Sequence, residues 1–194
     1  MTNTSATGGY LVPETSPLGR TAIEERLRAL VAGVTGLDGK LVRPRWQRTP
    51  APVPHLDTDW CSLGIQSTAP QGFPATTHNP EGEGSDEVSI IRRLRVLCSF
   101  YGPGAHDLAA RLNSGLTVGQ NRAEILTAGI SLTSLGEPIA VPELVNSDWL
   151  ERVDVELFFD VEERRSYPVR NLEGGRLSIL TDTGLAREVT IKED

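Results

Sequence analysis

Between Trp149 and Tyr167 the chain reads Trp-Leu-Glu-Arg-Val-Asp-Val-Glu-Leu-Phe-Phe-Asp-Val-Glu-Glu-Arg-Arg-Ser-Tyr. Successive side chains of a strand point to opposite faces, so the odd positions Trp149, Val153, Val155, Leu157, Phe159, Val161 and Tyr167 form one set. The even positions Arg152, Asp154, Glu156, Asp160, Glu162 and Arg164 form the other, with Leu150, Glu151, Phe158 and Glu163 out of step. An ordinary strand runs roughly 5–6 residues. One this long demands a broad sheet with one apolar and one charged face, an extended surface of the kind that joins subunits. Nothing in it has the look of catalysis.

A second long strand is expected over Glu87–Tyr101, where Val88, Ile90, Leu94, Val96, Cys98 and Phe100 alternate and Arg92 interrupts. Arg93 and Arg95 fall on its other face. If the two long strands pair, these arginines come opposite the acids of 149–167; otherwise both sets of charges face a neighbouring subunit. Shorter extended segments are expected at 41–48, where Pro44 confines the strand to an edge, at 60–66, 130–135 and 138–141, and at 176–180 behind Gly174-Gly175. Helical spacing places Ile23, Leu27, Leu30, Val31 and Val34 on one stripe, with Thr21-x-x-Glu24 as a capping box and Gly33/Gly36 closing the pattern. Ala105, Leu108, Ala109 and Leu112 form a second helical face before Gly115, and a short helix follows near Gln120–Leu126. The fold class is α+β: a mainly antiparallel β-sheet with two or more helices packed on one face.

Domain organisation follows from composition. Residues 1–18, made largely of Thr, Ser, Gly and Pro, read as a flexible arm. Residues 19–180 form one domain, interrupted at 67–85 by an aperiodic stretch rich in Gly and Pro that reads as a long loop, and 181–194 is a C-terminal extension. Lys+Arg 19 against Asp+Glu 26 gives a net charge of −7, which opposes general phosphate-neutralising binding to nucleic acid. Cys61 and Cys98 are too few and too far apart for a disulfide framework or a zinc site, and read as buried thiols in a reducing compartment. The N-terminus lacks the pattern of a signal peptide and no apolar run reaches the ~20 residues of a membrane span, so a cytoplasmic place of assembly is expected.

Candidate chemistry is sparse. His55, Asp57 and Asp59 alternate and would share a side of an extended segment, but His78 and His106 are the remaining histidines and no supporting ligands stand close in sequence. No nucleophile elbow, phosphate loop or dinucleotide fingerprint is present. No catalytic residue, metal ligand or cofactor is assigned. Two basic clusters remain, Arg43-Pro44-Arg45-Trp46-Gln47-Arg48 and Arg92-Arg93-Leu94-Arg95. Arg beside Trp is enriched at protein–protein contacts, and in an acidic chain that reading outweighs base stacking. The residues assigned to a subunit or partner interface are Arg43, Arg45, Trp46, Arg93, Arg95, Asp154, Glu156, Asp160 and Glu162.

Five segments taken in order carry a resemblance: Leu41-Val42-Arg43-Pro44-Arg45-Trp46-Gln47, Trp60-Cys61-Ser62-Leu63-Gly64-Ile65, Phe100-Tyr101-Gly102-Pro103, Gln120-Asn121-Arg122 and Trp149-Leu150-Glu151-Arg152-Val153-Asp154. Across roughly residues 20–170 the chain resembles the tail terminators, neck proteins of long-tailed bacteriophages. That resemblance implies a structural virion protein and not an enzyme. It implies a homohexameric ring that caps the tail tube, ends its polymerisation and meets the head-tail connector or stopper protein, with DNA passing through unbound. It leaves the 1–18 arm, the 67–85 stretch and the C-terminal residues without an assigned role. Rival expectations are another head-completion or connector protein, a small metal-dependent hydrolase built on His55, Asp57 and Asp59, or a nucleic-acid-binding module.

Overall fold

The computed structural model describes residues 3–145, 147–172, 174–180 and 186–192. Among the described residues, three helices and a mostly antiparallel sheet make it an α+β fold. In chain order the elements are α1 (Arg20–Thr35), β1 (Val42–Pro44), β2 (Trp60–Asn79), β3 (Ser85–Tyr101), α2 (Ala105–Gly115) and α3 (Gly119–Leu126). There follow β4 (Ile130–Leu135), β5 (Ile139–Ala140), β6 (Glu143–Val145), β7 (Asp148–Leu150), β8 (Arg152–Tyr167), β9 (Gly174–Leu180) and β10 (Ala186–Lys192).

The chain divides into two units, and the long strands β2, β3 and β8 contribute residues to both. The larger unit holds 17–74 and 89–163. Its main sheet runs β1-β2-β3-β8-β4, with β5 also on β8; β1 lies parallel to β2 at the edge, while β4 and β5 run antiparallel to β8. Most of the apolar positions read from the sequence become its core, while Val88 and Ile90 of β3 stay half-buried outside it and Leu30 and Val34 of α1 pack against its edge. Val153, Val155, Leu157, Phe159 and Val161 of β8, with Leu94, Val96, Cys98 and Phe100 of β3 and Cys61, Leu63 and Ile65 of β2, cluster with Ile23, Leu27 and Val31 of α1 and Leu108, Ala109 and Leu112 of α2. All of these are buried. Apolar area removed from water contributes about 25 cal/mol per Å2, which makes this the main stabilising layer.

Local differences have identifiable causes. α1 starts from Gly19, which has no side chain to cap it; the helix begins before Thr21, so the expected box is not formed and Glu24 pairs with Arg20 at 3.0 Å. Its end is as read: Gly36 takes the left-handed conformation, φ 79°. In α2, Gly115 is the last helical residue and Leu116 the cap. The long alternating stretch breaks at Glu151, so Trp149 belongs to the β6–β7 hairpin, paired with Leu144 and 70% exposed, and is not part of the core set. Tyr167 is also outside the core.

The largest departure concerns 67–85. β2 continues through it to Asn79 and only residues 80–84 turn. Pro70, Gly72 and Pro74 broke the sequence pattern, but β1 covers β2 only at 61–63. A proline on an uncovered strand edge forfeits no ladder bond. The stretch from Gln66 to Asn79 is exposed on both faces, including Phe73 at 98%, so no alternation was there to be read.

The smaller unit holds 1–16, 75–88 and 164–194. The N-terminal segment is hydrogen-bonded along 166–170: Ser5 N–H donates to Pro168 O at 3.2 Å, Arg170 N–H to Ser5 Oγ at 2.7 Å and Glu14 N–H to Ser166 O at 2.8 Å. The segment expected as a flexible arm thus makes backbone contacts with 166–170. β10 lies in the expected C-terminal extension and pairs antiparallel with β9. Residues 181–185 and 193–194 of that extension lie outside the described residues.

Candidate assembly surface

The polar face of the main sheet gathers nearly all the charged residues picked out in the sequence. Odd positions of β3 and even positions of β8 share it, and their partners run in opposite order along the two strands, as antiparallel neighbours require. Arg93 grips Asp160 with two bonds of 2.9 Å, Arg95 pairs with Glu156, and the Ser99 hydroxyl donates to Asp154. Of the two arrangements left open by the sequence, the cross-strand one is therefore realised for these residues. Hydrogen bonds to Asp160 and Glu156 hold the Arg93 and Arg95 guanidiniums more firmly in their charged form than usual. The two charges that interrupted the apolar alternations, Arg92 and Glu163, meet each other at 2.8 Å. Glu162 is exposed at the next position of β8.

At the other end of the face a stack crosses four strands. The Arg43 guanidinium lies 5.6 Å from the Trp60 ring centre, Trp60 and Tyr101 stack at 4.2 Å with planes 8° apart, and Arg152 lies 5.6 Å over Tyr101. A cation–π contact contributes about 0.5–1 kcal/mol when exposed and more when desolvated, and an aromatic pair about 0.5–1.5 kcal/mol beyond its area. Arg152 is fixed in turn by Asp154, through bonds of 2.8 and 2.7 Å, and by Glu143. The Asp154 bonds, against the opposing effect of burial and with help from Glu143, hold its proton still more tightly. One row along, Arg45 donates to Ser62 Oγ at 3.0 Å and to the fully buried Ser99. Trp46 adopts φ 53° and lies over Gly64, where a Cβ would fall 2.8 Å from the indole. The glycine makes room for the ring, which stays 64% exposed.

Four of the five segments that carried the resemblance thus converge on this one face. Arg43, Arg45 and Trp46 come from the first, Trp60, Ser62 and Gly64 from the second, Tyr101 from the third, and Arg152 and Asp154 from the last. The fourth segment lies apart on α3, where Asn121 donates to Gly115 O at 2.8 Å and ties α3 to the end of α2. A family model described as phage neck terminator protein matches residues 21–183. The chain belongs to that family. A comparison with curated proteins finds no match. As a neck terminator the protein is a structural component of the phage neck and of the virion, where it meets other tail and head proteins.

The rival metal cluster is not assembled in this neck terminator. His55 and Asp57 approach to 3.2 Å, but Asp59 turns to accept the Gly104 N–H at 2.7 Å at the start of α2. Among the described residues no group of three His, Cys, Asp or Glu is placed to hold a metal ion, and no helix is long and apolar enough to cross a membrane. Cys61 and Cys98 are both free and buried; burial, then the bond to Cys98, pushes the Cys61 thiol well up. Sequence reasoning put Arg152 on the charged face of β8 without assigning it to the site, and missed Trp60, Ser99, Tyr101 and Glu143. Ser99 and Tyr101 carried a signal, since both share the odd positions of β3 with Arg93 and Arg95.

Proposed function

We propose that six copies of this chain form a ring that caps the finished tail tube, ends its polymerisation and receives the head-tail connector or stopper protein. DNA passes through without specific binding. The protein acts by assembly and not by catalysis, and assembles in the host cytoplasm before it becomes part of the virion neck. The observation that carries this reading is that the neck terminator family model matches residues 21–183 while four of the five segments resembling tail terminators meet on one sheet face.

Arg43, Arg45, Trp46, Arg93, Arg95, Asp154, Glu156, Asp160 and Glu162 belong, in this proposal, to the seam between subunits or to a partner contact. Removing one partner of a buried ion pair strands the other charge at a cost of about 3–5 kcal/mol, so a face covered on assembly must be neutralised first. Pairing of Asp154, Glu156 and Asp160 with arginines of the same chain meets that requirement. The same pairing favours a seam over an acidic channel wall, which would need those carboxylates unpaired. The exposed Trp46 supplies an aromatic anchor beside it.

Native mass across a concentration range, with negative-stain images of the largest species, tests the ring. A six-subunit ring with a central hole is expected, alone or on addition of tail tubes. A chain that stays monomeric with tubes present, and leaves tube ends bare, refutes the proposal. Charge reversal at Asp154 and Glu156 should prevent ring formation; rings that form unchanged would remove the seam assignment.

A further inference from the structure

We propose that His78 is a proton-operated latch that holds residues 169–172 against the turn joining β2 to β3. All the groups concerned lie in the smaller unit. His78 Nδ1 lies 2.7 Å from Asp86 Oδ1, and Nε2 lies 2.9 Å from Asn171 Oδ1. Both neighbours are acceptors. The Asn171 amide cannot rotate to help, because its Nδ2 already donates to Pro80 O at 2.9 Å and Gly82 O at 3.2 Å. An imidazole between two acceptors satisfies both only when each nitrogen carries a hydrogen, which is the cation.

The surroundings agree. The carboxylate of Asp86, on β3, is the charge in direct contact with the ring, and its bond, then that of Asn171, raises the His78 pKa against the smaller effect of burial. The other charges of the neighbourhood are engaged elsewhere: Glu83 of the turn with Arg170, and Glu87 of β3 with Arg164 at 3.2 Å. Glu81 is exposed on the turn. The latched segment is closely fitted. Asn171 N–H donates to Glu83 O at 3.1 Å, and Gly84 has φ 90° with room for no Cβ, which would fall 2.6 Å from Asn171 N and 2.8 Å from Val169 O.

The sign follows from the raised pKa. The contribution of His78 to stability is complete below the ordinary histidine pKa of about 6.5 and is lost as pH rises through the raised value. Deprotonation leaves one N–H. The bond to Asp86 keeps it, since a charged acceptor holds the donor more strongly. The Nε2 lone pair then faces Asn171 Oδ1, and the latch opens on the side of residues 169–172, the segment that leads into β9.

An NMR titration of His78, with amide exchange at Asn171 and Gly84 corrected for intrinsic pH dependence, tests the latch. His78 should titrate above its value in the urea-unfolded chain, and protection at Asn171 should fall as it does so. Asp86→Asn should lower the His78 pKa. His78→Gln should abolish the pH dependence of protection, and a folded core reported by the β8 amides separates this result from unfolding. A His78 pKa at or below the unfolded value, or Asn171 protection constant through the titration, overturns the proposal.

Discussion

Replacing Asp59 by alanine separates the two readings of the His55-Leu-Asp-Thr-Asp59 segment. Asp59 Oδ1 accepts the Gly104 N–H at 2.7 Å, beside the positive end of α2. The tight turn before the helix is built around it: Gly102 has φ 100°, and a Cβ there would lie 2.6 Å from Asp59 Oδ1. A hydrogen bond to a charged group contributes about 1.5–3 kcal/mol, and a carboxylate at a helix N-terminus about 0.3–1 kcal/mol. The two contributions overlap and Asp59 is half-buried, so Asp59→Ala should cost about 1.5 kcal/mol. In a chain of 194 residues that lowers Tm by about 3–6 °C. Asp59→Asn keeps an acceptor oxygen and loses the charge, so about half the cost is expected. Urea unfolding of the three proteins gives the comparison, repeated with chelator to show that wild-type stability does not depend on a bound cation. The reasoning fails if Asp59→Ala lies within about 0.3 kcal/mol of wild type, if Asp59→Asn is as unstable as Asp59→Ala, or if chelator alone reproduces the loss.

Two further outcomes check the polar face and the core. Ser99→Ala removes the hydroxyl that joins Arg45 to Asp154 and should cost about 1–3 kcal/mol in urea unfolding; a variant as stable as wild type would show that the row does not depend on it. Cys61 and Cys98 should resist thiol reagents in the folded protein up to mildly alkaline pH and both react in urea, because both are buried out of reach and burial also keeps the Cys61 thiol protonated; fast labelling of the native chain would contradict the packing.

How much could be read in advance depended on whether a segment had one wet and one dry face. α1, α2, β3 and β8 each carry a stripe or alternation that burial enforces, so Leu27, Leu108, Phe100 and Phe159 were placed in the core from spacing alone. The outer half of β2 is wet on both faces and leaves no period, so its prolines and glycine read as loop. Trp149 was grouped with β8 because it continued the odd register, until the break at Glu151 turned it into a hairpin of its own. The charged residues of the assembly surface were found singly. Which cation met which carboxylate depended on strand order and register.

The sequence by itself determined the fold class and most of the core faces, because alternation and spacing are local properties that burial reads directly; the family entered as a resemblance carried by five ordered segments. Only the tertiary structure decided that Arg43, Trp60, Tyr101 and Arg152 form one stack and that Asp59 starts a helix. The same holds for His78, which sits between two acceptors that lie 8 and 93 residues away in sequence. Such contacts join residues remote along the chain, and their geometry exists only once strand pairing has fixed the register.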